Sequence, residues 1–293
     1  MRKQLAPSAI VIAAVASGAL VSPVVAQPTR HATPSLIAET RSLVPGQATM
    51  LAVQFDIEPR WHLYWPGRND SGFAPEIKIT APEGYALGEP QWPAPKRHLQ
   101  AGGILDHIFE GRLTVLIPLT VPEGATGEAR FEAELSWLAC ERACVAESAK
   151  VDLTLRIARE GETPLDAAGR GLILAAKAAL PKPVAEAKPR VVAGVHDGAL
   201  IVEAPGASRI EFFPFEECVS TPDLAGRGST KSARLALPLG EEDGRVTGLV
   251  SVTTPGAQGS PATTAAYRLD LPARPLPEVQ PPKKPADRDG GTK

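Results

Sequence analysis

The chain has 293 residues, of which 43% are hydrophobic, and it sets 31 Lys and Arg against 33 Asp and Glu for a formal net charge of −2. The hydrophobic share supports a packed core and argues against global disorder. The near-neutral balance argues against an extended nucleic-acid surface, which needs clustered Lys and Arg to displace counterions.

Arg2 and Lys3 precede a small, apolar run from Ala9 to Ala26 that ends in Val24-Val25-Ala26. This is the pattern of a secretory signal peptide over residues 1–26, cleaved before Gln27. An uncleaved anchor is the competing reading, which Pro23 and the A-x-A-like end disfavour. No later stretch reaches the roughly 18 apolar residues of a membrane span. The expectation is an exported chain in an oxidising compartment, the periplasm.

Residues 27 to about 45 are polar and read as a leader strand or tether. Strand patterns follow, with a period of two. Leu51, Val53, Phe55 and Ile57 alternate with Ala52, Gln54 and Asp56. Leu113 to Leu119, Phe131 to Ala139 and Val151 to Ile157 alternate in the same way. Pro82-Glu83-Gly84 and Pro122-Glu123-Gly124 mark turns between them. Thirty prolines, about twice the usual share, disfavour long helices and fit short strands joined by turns. The expected fold is all-β: an antiparallel β-sandwich over residues 27–160. Leu165 to Leu180 is rich in Ala and Leu without Pro and reads as a short helix, ended by Pro181-Lys182-Pro183. Residues 161–190 are thus a helical, Pro-rich linker. Strand patterns return at 200–202, 210–213, 233–239, 249–252 and 267–271, giving a second, smaller β-sandwich domain over 191–272. Residues 273–293, with five prolines and mixed charges, read as a disordered tail.

Three cysteines are present, Cys140, Cys144 and Cys218, and an odd count leaves at least one thiol free or paired between molecules. Four residues of straight strand span about 13 Å, whereas a bridge needs Cα atoms about 4.4–6.8 Å apart. Cys140 and Cys144 therefore join only if the chain turns between them, which a hairpin connection supplies. Alternation places Cys140 on the wetter face of its strand, with Glu132, Glu134 and Ser136. Three readings of the pair stand open: a structural staple, a metal site and a reactive redox couple. A staple over so short a loop removes only about 2 kcal/mol of chain entropy. A metal site needs two more soft ligands, and neither Met nor a His at ligand spacing accompanies the pair. A redox couple cycles between disulfide and dithiol, with Arg142 favouring a thiolate and Glu141 opposing it.

Further motifs surround the pair: Trp61-His62-Leu63-Tyr64-Trp65-Pro66-Gly67, Asp70-Ser71-Gly72, Pro75-Glu76-Ile77, Gln91-Trp92-Pro93-Ala94-Pro95, and Trp137-Leu138-Ala139-Cys140 through Cys144. In this order they resemble the N-terminal periplasmic domain of the thiol:disulfide interchange protein family (DsbD and the related copper-tolerance ScsB proteins), strongly over roughly residues 35–160. The resemblance implies an immunoglobulin-like fold and an electron relay of the protein-disulfide reductase type. A membrane-embedded thiol:disulfide donor reduces the pair, which then reduces oxidised periplasmic thioredoxin-like proteins. It also implies that Cys144 forms the mixed disulfides and Cys140 resolves them, with no cofactor and no metal. Family members continue into a membrane unit and a thioredoxin-like domain; these 293 residues hold neither, so a separate membrane partner is expected. The family's cap loop falls at about Lys96 to His107, which offers Leu99, Ile104 and Leu105 but no aromatic. Val145-Ala146-Glu147 stands where the family places a proline after its second cysteine.

The alternatives are a binding module of the same fold with a permanent staple, and a copper-tolerance metal-handling protein. Trp61, Tyr64, Trp65 and Trp92 are read as core residues, with a recognition surface as the alternative, Asp70-Ser71-Gly72 as a turn, and His62 and His107 as surface or packing residues, with tuning of the thiols as the alternative. Cys218 is read first as buried and inert, its neighbouring carboxylates raising its pKa.

Overall fold

The structure, a computed structural model, describes residues 30–188, 190–257 and 260–274. The expected signal peptide and the tail from residue 275 onward lie outside the described residues. From His31 the described residues form one compact unit.

The alternating segments are strands. The first part holds β1 (Ala32–Ala38), β2 (Ser42–Leu43), β3 (Ala48–Ile57), β4 (His62–Tyr64), β5 (Glu76–Thr80), β6 (Ala86–Leu87), β7 (Lys96–Leu99), β8 (Leu105–Glu110), β9 (Arg112–Thr120), β10 (Glu128–Cys140) and β11 (Cys144–Ile157). One sheet runs β1-β3-β9-β6 and the other β2-β11-β10-β4-β8-β7, with β5 also on β10. The two inner faces bury Val53, Phe55, Val115 and Ile117 from one sheet against Phe131, Leu135, Trp137 and Leu155 from the other. Each such side chain contributes about 1.5–3 kcal/mol on burial. This is the expected immunoglobulin-like β-sandwich, and the leader segment supplies its edge strand β1, paired with β3 from Ala32↔Ile57 to Ala38↔Leu51.

The outer face of the first sheet is apolar too, because Ala52 and Leu116 stand between the inward-facing residues. Helix α1 (Arg170–Ala179) covers them with Ile173. It begins later than the composition predicts: Leu165 and Ala167 form backbone bonds with Arg41 and Glu39 instead. It stops at Leu180, because the residue before Pro181 is pushed toward extended backbone.

The remainder comprises β12 (Lys182–Pro183), β13 (Val192–His196), β14 (Ala199–Glu203), β15 (Arg209–Pro214), α2 (Leu224–Arg227), β16 (Ser229–Thr230), β17 (Arg234–Pro238), β18 (Arg245–Thr254) and β19 (Thr263–Pro272). Sheets β12-β19-β18-β15-β16 and β13-β14-β17 enclose a second core of Leu200, Val202, Phe212, Leu235, Leu237, Val250 and Leu269. Phe213 and Leu249 leave that core and join the first. Trp65 stacks on Phe215 at 5.4 Å and meets Phe213 edge-on at 6.3 Å. Two arginines close the seam. Arg68 donates to the carbonyls of Glu216, Cys218 and Val219, and Arg97 to those of Leu224 and Ala225.

Candidate functional site

Strands β10 and β11 pair without interruption from Glu128↔Arg156 to Cys140↔Cys144, so the two cysteines are the last cross-strand pair before a three-residue turn. Their Cα atoms lie 4.2 Å apart and the sulfurs are bridged. Along Ser136 to Glu132 the other edge of β10 carries β5; at Cys140 its partner is His62 of β4. This change of neighbour decides the environment of the first sulfur.

Cross-strand partners share a face. Cys140 pairs with His62, His62 with Glu110, Tyr64 with Ile108, and Asp106 with His98. These side chains therefore line up across β10, β4, β8 and β7 on the face away from the main core. Alternation indeed puts Cys140 on the face of Glu132 and Glu134, but it is not wet there. Cys140 is only 3% exposed, clustered with Tyr64, Ile108 and Leu138. Cys144, across the bridge, is exposed. The disulfide thus joins a buried cysteine to an exposed one.

A chain of polar groups ends at the Cys144 sulfur. The Tyr64 hydroxyl lies 3.5 Å from Cys144 Sγ and 3.4 Å from Ser71 Oγ. Ser71 Oγ donates to Asp106 Oδ2 at 2.6 Å. Asp106 is fully buried and also accepts from the backbone N–H groups of Asp70 and Ser71 and from the Gln100 amide. The Asp70-Ser71-Gly72 segment lies flat on Tyr64. A Cβ on Gly72 would fall 2.1 Å from the ring, so only glycine lets the backbone come this close. Burial raises the Tyr64 pKa above its ordinary value, and the negative charge of Asp106 adds to the rise.

His62 is buried beside Cys140, with its ring 5.0 Å from that of His98 and its Nε2 without a partner. Burial first, and His98 second, lower its pKa, which keeps the imidazole neutral. His107 faces the opposite way. Its Nδ1 donates to the Arg68 carbonyl at 2.6 Å and its ring packs on Trp65 and Phe213. The structure therefore brings His62 to the pair and does not bring His107. In the turn, Glu141 forms an ion pair with Arg60 at 3.2 Å. Trp65 is buried, and Trp92 and Trp61 pack partly buried against the main core.

The cap segment forms the β7–β8 hairpin, but Leu99 and Ile104 point to solvent; Cys140 is covered by Tyr64 and Ile108 instead. Phe73, 77% exposed, follows Gly72 on the covering loop. Cys218 is free and buried, and burial pushes its thiol pKa up, with Glu217 and Glu242 adding smaller increments. Spacing in the sequence gave no sign of Ser71, Gln100 or Asp106 as members of the site. The one available signal was glycine after Asp-Ser, read only as a turn. Among the described residues no group of three or more His, Cys, Asp or Glu is arranged to hold a metal.

An immunoglobulin-like sandwich that carries a disulfide between a buried and an exposed cysteine at a hairpin end has the frame of a thiol–disulfide interchange domain. Residues 33–156 match the family described as "Thiol:disulfide interchange protein DsbD, N-terminal". Two solved structures are similar. The N-terminal periplasmic domain of ScsB from Proteus mirabilis is 14% identical with a TM-score of 0.49, over 82% of this chain and 91% of that one. The Neisseria meningitidis DsbD N-terminal domain in the reduced form is 15% identical with a TM-score of 0.28, over 46% of this chain and 91% of that one. No curated protein matches the chain. The domain and its bridged pair together support a general role in thiol–disulfide interchange.

Proposed function

We propose that the chain is a periplasmic electron relay in which Cys140 and Cys144 cycle between disulfide and dithiol. The observation that carries this reading is the asymmetry of the bridge, with Cys144 exposed and Cys140 sealed. A donor thiolate can reach only Cys144. It attacks that sulfur, the S–S bond breaks, and Cys140 leaves as a thiolate that takes up a proton. The donor's second thiolate then attacks its own sulfur in the mixed disulfide and releases Cys144. Two electrons and two protons enter the pair, and the donor becomes a disulfide. Reversal against an oxidised client, with Cys144 attacking and Cys140 resolving, passes them on. The donor is a membrane-embedded dithiol protein and the clients are oxidised thioredoxin-like proteins of the periplasm. Residues 27–160 form the redox domain, 161–190 join it to a second β-domain over 191–272, and residues 1–26 direct export.

The test is to equilibrate the protein with a graded dithiothreitol series and alkylate the free thiols. A relay gives reversible reduction of one pair with the fold kept. A permanent staple resists until unfolding, and that result would sink the reading. In addition, Cys140→Ala should accumulate mixed disulfides, whereas Cys144→Ala should form none.

A further inference from the structure

We propose that Tyr64 is a switchable hydrogen-bond donor to the Cys144 sulfur, held in reserve by Ser71 and Asp106. This rests on the reading that Cys144 is the exchanging sulfur, and it assigns three further residues to that site.

The argument is a count of hydrogens. The Asp106 carboxylate can only accept, and four donors surround it: the N–H groups of Asp70 and Ser71, the Ser71 hydroxyl and the Gln100 amide. The hydroxyl hydrogen of Ser71 is therefore spent on Asp106, at 2.6 Å. Toward Tyr64, 3.4 Å away, Ser71 can only accept. Tyr64 has one hydrogen and two candidate acceptors, Ser71 Oγ at 3.4 Å and Cys144 Sγ at 3.5 Å. A disulfide sulfur is a weak acceptor, so in the oxidised form the hydrogen rests on Ser71. A thiolate is a strong one, and charge-assisted bonds are roughly twice as strong as neutral ones. When Cys144 ionises, the same hydrogen turns to the sulfur. When Cys144 is a thiol, its S–H points at the Tyr64 oxygen and the tyrosine hydrogen returns to Ser71.

At Tyr64 the switch needs only a rotation of the hydroxyl hydrogen, and Tyr64 is well placed to keep its own proton because the residue is 1% exposed. The Asp-Ser-Gly loop holds it from one side, where Gly72 touches the ring. The remaining titratable groups on this face, His62, His98, Glu110 and Lys96, line up toward Cys140 or the hairpin edge. Glu141 and Arg142 belong to the turn, and Glu141 is engaged by Arg60. Tyr64 is thus a catalytic residue, touching the reacting sulfur. Ser71 and Asp106 are positioning residues that act through it.

The experiment measures the ionisation of Cys144 by the pH dependence of its alkylation, in the Cys140→Ala background, with the modified peptide identified by mass. No redox partner is involved, so this test can fail while the relay stands. Tyr64→Phe keeps the ring and removes the donor; the acid dissociation constant of Cys144 should fall about tenfold or more. Ser71→Ala removes the competing acceptor and frees the hydrogen for the sulfur; the constant should rise. The opposite signs are the signature. Two shifts in the same direction would mean that both variants merely loosen the cover, and no shift in Tyr64→Phe would mean that the hydroxyl does not serve the thiolate; either overturns the proposal. If Ser71→Ala does not fold, fluorotyrosine at position 64 replaces it. As a stronger donor on the same ring it should raise the constant, and a fall or no change would overturn the proposal.

Discussion

Acidification from pH 7 to pH 4 should cost the folded chain about 3 kcal/mol through one side chain, His107. The imidazole is fully buried, its Nδ1–H is given to the Arg68 carbonyl at 2.6 Å, and its Nε2 has no partner. A proton on Nε2 would be a buried charge with an unmatched donor. Burial therefore lowers the pKa from 6.5 to about 4. The unfolded chain then binds the proton first. The stabilisation is whole above the unfolded value and drains as pH falls toward and through the folded one. At about 1.4 kcal/mol per unit, roughly 2 kcal/mol is gone by pH 5 and about 3 by pH 4. The assay is urea unfolding at pH 7, 5 and 4 for the natural chain and for His107→Gln, which keeps an amide donor for Arg68 but does not titrate. Gln packs less well on Phe213 and Trp65, so the variant is weaker at pH 7. The stability gap should shrink by these amounts on acidification. A gap that stays constant would refute the reasoning, because carboxylates elsewhere titrate equally in both proteins.

Three further outcomes are expected. Gly72→Ala places a methyl 2.1–2.4 Å from the Tyr64 ring; overpacking of this kind costs about 1–3 kcal/mol, read as a lowered melting temperature with a changed near-ultraviolet dichroism. Glu147, three residues beyond Cys144, accepts from the Trp137 indole at 2.8 Å and from the backbone of His31 and Ala32 at 2.7 and 3.3 Å. Glu147→Gln sets an amide N–H₂ against one of these donors and should cost about 1.5–3 kcal/mol, followed by tryptophan fluorescence in urea. Ile173→Ala empties the contact between α1 and the sheet and should cost about 2–5 kcal/mol, with earlier proteolysis in the helix than elsewhere.

Much of the frame was legible from residues alone. Leu51 to Ile57 and Phe131 to Ala139 alternate in sequence; the alternation of exposure survives in β10, whereas in β3 Ala52 and Gln54 are buried as well, Ala52 against α1. Four extended residues cannot bridge, so a bridge between Cys140 and Cys144 required a turn, and the strand patterns on either side pointed to the hairpin that β10 and β11 form. Helix α1 was read early at its N-terminus because composition cannot register that Leu165 and Ala167 bond to Arg41 and Glu39, over a hundred positions away. The same blindness hid Asp106 and Ser71. They are 35 positions apart, and the motif that holds Ser71 reads by itself as a turn; only the meeting of the covering loop with β8 makes them one site.

The residues by themselves determined the long alternating strands, such as β3, β9, β10 and β11, and the condition that Cys140 and Cys144 join only across a turn. Tertiary structure alone decided that Cys140 is sealed while Cys144 is open, that Phe213 fills the first core, and that Tyr64 reaches a sulfur. The physical reason is that periodicity reports the nearest neighbours along a strand. Which end of a sheet is covered depends on segments that sequence distance separates and packing brings together.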